Sequence, residues 1–291
     1  MRNLTIRRII IAIVAVSCFG RVSVARAQDA SAWDGQFHAA ARLIAGAAGQ
    51  TADTKWLRAG IEIRLDPGWK TYWRYPGDSG VPPTFDFTGS ENVQSITTLW
   101  PAPERFADGA GGQSIGYFGD VVLPLHVVPK DASKPSLLRV KVGYAVCGNL
   151  CVPAQAQLDL TLSGRAGAEE SMLVAAEDRV PRPIRLGSHD QAGHRLSVQS
   201  VHREVDGAHA RVVVEVAASE GEPVDLFAEG PTPDWALPLP EPTKPTGSAP
   251  ALRRFIFDLD GLPPGAKADG AMLRLTAISP TDAIEVEASL D

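Results

Sequence analysis

The chain alternates apolar and polar residues over short runs, and those runs are cut by turn-forming residues. In Trp56–Leu65, Ile61, Ile63 and Leu65 alternate with Glu62 and Arg64, and Asp66-Pro67-Gly68 then closes the run. Period two followed by a turn triplet predicts a strand with one buried face. The same signal recurs at Lys70–Tyr75, Thr84–Phe87, Val121–Val128 and Leu137–Val146. His38–Ala48 is rich in alanine, but Phe37, Leu43 and Ile44 build no helical face, so it too reads as a strand. Short strands at this spacing predict a β-sandwich ending near Ser163. Gly164–Arg179 is polar and alanine-rich and is followed by Pro181 and Pro183, the pattern of a linker or short helix over 164–183. Strand patterns resume at Arg195–Val205, Ala210–Ala217, Val224–Phe227, Arg253–Leu259, Met272–Ile278 and Ile284–Leu290, predicting a second sandwich over 184–291. Pro231–Pro250 holds seven prolines, which keeps it out of any central strand.

The first 27 residues follow a different rule. Arg2, Arg7 and Arg8 precede the apolar run Ile9–Phe19, and Ala25-Arg26-Ala27 has the small-x-small form of a secretory cleavage site. A run of 11 residues is short for a bilayer, which needs about 20, so residues 1–27 are expected to be a cleaved signal peptide and the mature chain periplasmic, without a transmembrane segment. Losing them removes five of the 28 basic residues and none of the 34 acidic ones, which leaves 23 against 34, a formal charge of −11. With 44% hydrophobic and 21% charged residues the chain is globular in composition, and its acidity argues against nucleic acid as a partner.

Cleavage also removes Cys18 and leaves two cysteines, Cys147 and Cys151, in a compartment that permits disulfides. Val140, Val142, Tyr144 and Val146 mark one face of the strand leading to them, and Gly148-Asn149 are residue types that accept positive φ in a tight reversal. The cysteines thus flank a three-residue turn, where paired strands bring Cα atoms within disulfide range. A permanent staple is one reading, but a five-residue loop gains only about 2 kcal/mol of chain entropy, against about 4–5 for a loop of a hundred residues. A bond at a turn tip is better placed for attack by another protein's thiolate, which favours exchange. Cu(I) handling by the same thiols is a third reading; Met172, Met272 and His126 lie far from the motif in sequence.

Tyr144-Ala-Val-Cys-Gly-Asn-Leu-Cys-Val-Pro153, with Leu158-Asp-Leu-Thr-Leu after it, resembles the periplasmic N-terminal domain of the DsbD/ScsB thiol:disulfide reductases. Upstream, Gly68-Trp-Lys-Thr-Tyr-Trp-Arg74, Pro76–Pro83, Trp100-Pro-Ala-Pro103 and Gly116-Tyr-Phe-Gly119 before Leu123-Pro-Leu125 extend the resemblance over about residues 38–163. It implies an immunoglobulin-like sandwich. Such a domain takes electrons from a membrane thiol:disulfide reductase and passes them to periplasmic thioredoxin-like or disulfide isomerase proteins, without a cofactor or bound metal. It also implies Cys151 as the attacking sulfur, Cys147 as the resolving one, and an aromatic cap at Tyr117 or Phe118 with Tyr144 nearby. An aromatic cover on a loop flanked by Gly116 and Gly119 fits this, because desolvation protects a reduced pair. Two departures stand out: Ile115-Gly116 replace the acidic residues that precede the family's cap aromatic, and the reductases' transmembrane and thioredoxin-like portions are expected to lie outside this chain. A separate electron donor is therefore expected.

Other motifs carry less. Gly77-Asp-Ser-Gly80 has the look of a protease nucleophile, but only His38 precedes it and no barrel half does, so it reads as a turn. His189, His194, His202 and His209 are irregularly spaced, as solvated residues are. Trp69, Tyr72 and Trp73 read as packing aromatics of a sandwich.

Overall fold

The computed structural model describes residues 28–108, 111–188, 195–206, 209–243 and 252–291. The predicted signal segment with Cys18, as well as His189, His194 and the end of the proline-rich stretch, lies outside the described residues. Among the described residues no helix is long and apolar enough to cross a membrane.

The chain is almost wholly β. The first half holds β1 (Asp34–Gln36), β2 (Ala39–Gln50), β3 (Lys55–Leu65), β4 (Lys70–Gly77), β5 (Thr84–Asp86), β6 (Val93–Thr98), β7 (Glu104–Ala107), β8 (Gln113–Phe118), β9 (Val121–Pro129), β10 (Ser136–Cys147) and β11 (Cys151–Leu162). A helix, α1 (Glu170–Glu177), and the short β12 (Arg182–Pro183) follow. The remainder holds β13 (Ser197–Asp206), β14 (His209–Ala217), β15 (Asp225–Glu229), β16 (Glu241–Thr243), β17 (Leu252–Asp258), β18 (Met272–Ile278) and β19 (Ala283–Ser289).

Two antiparallel sheets face each other in the first half, one ordered β1-β2-β3-β9-β6 and the other β11-β10-β4-β8-β7, with β5 also pairing β10. The inward residues of both close over one core, among them Leu43, Ile61, Leu123, Trp73, Leu138 and Leu158. Period two is plain in β11, where Ala154, Ala156, Leu158, Leu160 and Leu162 are buried and their neighbours are exposed. The alanine-rich segment read as a strand is β2, and its small side chains have a use. Gly46 in β2 and Gly60 in β3 leave room for Leu173 of α1, since a Cβ at either position sits under 3 Å from the leucine side chain. The stretch between the two strand-rich halves thus lies against the outside of the first sheet, held by Arg58 to Glu170 and Glu177 and by Arg42 to Glu169.

The other two sheets run β12-β19-β18-β15 and β13-β14-β17-β16, and Val212, Val214, Phe255, Leu273 and Val286 fill the space between them. The described part of the proline-rich stretch forms the edge strand β16 and a run that buries Trp235, Leu237 and Leu239, as a segment short of amide donors must. The halves touch through β15, β19 and the proline-rich stretch. Phe227 packs into the first core against Trp73, with ring centroids 5.8 Å apart, and Arg74 of β4 pairs with Glu229 and Glu285.

Candidate functional site

The cysteines close the end of the β10–β11 hairpin. The two strands pair in unbroken register from Ser136↔Leu162 to Cys147↔Cys151, and the sulfurs form a disulfide between Cα atoms 4.1 Å apart. Neither Gly148 nor Asn149 takes positive φ, contrary to the expectation from residue type. Gly148 serves another purpose: a Cβ there falls 3.0 Å from the Trp69 ring, so its bareness lets the indole lie against the turn. His38 stacks on that indole, with ring centroids 3.9 Å apart, and contacts Asp66.

The two sulfurs differ in exposure. Cys147 is 1% exposed, whereas Cys151 and the adjacent Leu150 are open to solvent. Alternation explains the burial of Cys147: it sits on the face of β10 opposite Val146 and Tyr144, in a small cluster with Ala145, Tyr72 and Phe106 on the outside of the sheet. The Tyr72 hydroxyl donates to the Cys147 sulfur at 2.8 Å and lies 3.4 Å from that of Cys151. Its pKa is raised, chiefly because burial penalises the phenolate and further because Asp108 is negative nearby, so the phenol keeps its proton and remains a donor. Asp108 is the acidic residue whose charge acts on Tyr72. It accepts from Ser79 at 2.6 Å and from the Gly112 amide, so the Gly77–Gly80 motif is a turn joined to Asp108.

Register also decides the aromatic cover. Cys147 pairs with Lys70 and Lys70 with Phe118, so these three share the outer face, while Val146, Thr71 and Tyr117 form the inner row. Tyr117 is buried in the main core, where its hydroxyl donates to the Pro101 carbonyl at 2.9 Å, and burial pushes its pKa well up. Phe118 is half-exposed and meets Phe106 edge to face at 5.1 Å. Phe106 itself is the ring packed with Cys147 and Tyr72, and the Lys70 ammonium lies 4.3 Å from its centroid. Of the residues proposed from sequence, Cys147, Cys151 and Phe118 thus come to one face. Tyr117 and Tyr144 project into the core on the other. Tyr72, expected to be a packing aromatic, and Phe106, which stands in no motif, complete the site; alternation along β8 and β10 sorts their residues onto two faces, and the register of β4 sets which face meets the cysteines. His126 stands on the opposite sheet, stacked on Trp56 and near Glu177, and no cluster of three His, Cys, Asp or Glu suited to a metal ion occurs among the described residues.

The outer-face site falls within one stretch of sequence, residues 41–163, whose match is to the family described as thiol:disulfide interchange protein DsbD, N-terminal. Over this stretch the chain is similar to that family. No curated protein matches the chain. The crystal structure of the N-terminal periplasmic domain of ScsB from Proteus mirabilis has the same fold, with a TM-score of 0.67 at 22% identity. The likeness covers 90% of this chain and 98% of that one, so it takes in the second sandwich beyond residues 41–163.

Proposed function

We propose that the chain is a periplasmic thiol:disulfide interchange module working through Cys147 and Cys151. The observation that carries this is the inequality of the sulfurs: one is open at a turn tip, the other buried against a phenol that donates to it. Exchange needs that division, because the attacked sulfur has to be reachable in line while the departing one is stabilised as a thiolate. In the reducing half-reaction a donor thiolate attacks Cys151 Sγ, the S–S bond breaks, and Cys147 leaves as a thiolate under the Tyr72 hydroxyl. The donor's second thiolate then attacks its own sulfur in the mixed disulfide and frees Cys151. The donor is oxidised, and the pair is reduced by two electrons. In the delivering half-reaction the Cys151 thiolate attacks an acceptor disulfide, and Cys147 resolves the mixed disulfide.

The donor in this reading is a membrane thiol:disulfide reductase, and the acceptors are thioredoxin-like or disulfide isomerase proteins of the periplasm. The first sandwich, about residues 28–163, is the redox unit, and residues 184–291 form a docking or scaffold unit. A Cys147→Ala variant lacks the resolving thiol, so it is expected to accumulate mixed disulfides on Cys151 in periplasm, identified by mass spectrometry, while Cys151→Ala accumulates none. An absence of trapped partners, together with a midpoint potential well below about −300 mV, makes the bond an inert staple instead.

A further inference from the structure

Phe106 lies on β7, a four-residue strand at the edge of its sheet that pairs, among the described residues, with β8 alone. That pairing and a Lys70 ammonium donating to the Ala107 carbonyl at 3.2 Å hold it from the first sandwich, and Phe106 is 6% exposed and packs on Cys147 and Tyr72. The neighbouring residue adds a hold from the second sandwich. Successive side chains of a strand point to opposite faces, and Arg105 reaches away from the disulfide into the second sandwich. Its guanidinium donates to Asp225 at 2.8 and 3.2 Å, to the Leu226 carbonyl at 3.2 Å and to the Pro240 carbonyl at 3.0 Å, and it lies 5.6 Å from the Phe227 ring centroid. The planar fork spends its donors on three separate groups of the other unit, a geometry that lysine does not reproduce.

We propose that Arg105 is a positioning residue through which the second sandwich holds Phe106 closed over Cys147, so that this sulfur is shielded and Cys151 alone is open to attack. This gives the second sandwich a part in the chemistry from a distance: it fixes which sulfur reacts. The inference rests on the reading of Cys151 as the attacked sulfur, but its test uses no protein partner.

The test is alkylation of Cys147 in the reduced full chain carrying Cys151→Ala, with iodoacetamide as the probe and peptide mass spectrometry as the readout. In that step the Cys147 thiolate attacks the methylene carbon and iodide leaves. Rates are followed across pH to their alkaline plateau, where a change in access separates from a change in thiol pKa. Arg105→Ala is expected to raise the plateau rate about tenfold, equivalent to about 1.4 kcal/mol. Asp225→Asn, a milder change that keeps the side chain's size, is expected to act in the same direction. In a Phe106→Ala background the Cys147 rate is already high, and Arg105→Ala is expected to add nothing to it. An unchanged plateau rate in both clamp variants overturns the proposal. So does an Arg105→Ala increase of the same size with and without the Phe106 ring, because Arg105 then does not act through it. Shielding of Cys147 and trapping of partners on Cys151 are independent readouts, so failure of the clamp is distinguishable from failure of the exchange reading.

Discussion

Tyr72→Phe removes one oxygen from the site and leaves the ring that packs beside Phe106 in place. The lost hydroxyl is the donor 2.8 Å from Cys147 Sγ, and Cys147 is buried, so solvent is poorly placed to replace it. A hydrogen bond to a charged acceptor contributes about 1.5–3 kcal/mol. If the departing sulfur carries about half its charge at the transition state, the barrier rises by about 0.7–1.5 kcal/mol and the rate falls about 3- to 13-fold. The assay is stopped-flow reduction by excess dithiothreitol, followed by tryptophan fluorescence, since Trp69 lies against the cysteine turn. A disulfide sulfur is a weak acceptor, so folding stability is expected to change by less than about 1 kcal/mol. Burial, and secondarily Asp108, hold the phenol pKa above its usual value, so the rate deficit should persist from about pH 6 to 9.5. Equal rates in the two proteins, or a rate loss that merely follows a loss of stability, refute the role given to Tyr72.

Tyr144 gives a contrasting case. Its hydroxyl is buried with no protein hydrogen-bond partner, so Tyr144→Phe should leave the exchange rate unchanged and leave stability equal or up to about 1 kcal/mol higher by urea denaturation. Burial pushes Tyr75 and Tyr144 up to about 12. The folded state therefore favours the protonated phenols. Their contribution to stability is intact below about pH 10 and is lost as pH rises toward about 12; alkaline denaturation should be less steep in Tyr144→Phe. At Gly116, a Cβ falls 2.0 Å from the Thr71 carbonyl oxygen. Gly116→Ala should therefore cost about 3 kcal/mol or more and, by moving the Tyr72 strand, slow exchange as well.

The long hairpin and its cysteines were legible because β10 and β11 alternate over many residues and end in a recognisable turn. The cover was not. Glu104–Ala107 is too short to show a period and follows a proline, and the contact of Tyr72 with Cys147 spans 75 positions in the chain. Choosing between Tyr117 and Phe118 required the register of β4 between β8 and β10, which sequence spacing does not contain. The same holds for Arg105 and Asp225, 120 residues apart. The helix of the connecting stretch was open to either reading, and its place was set by two glycines in distant strands.

The hairpin that carries the sulfurs joins its strands at twelve consecutive residue pairs, ending at the cysteines themselves. This backbone pairing sets Cys147 opposite Cys151 independently of the sulfur bond; in the exchange proposed above, it is the part of the structure that would hold the two thiols within reach of each other once the bond is broken.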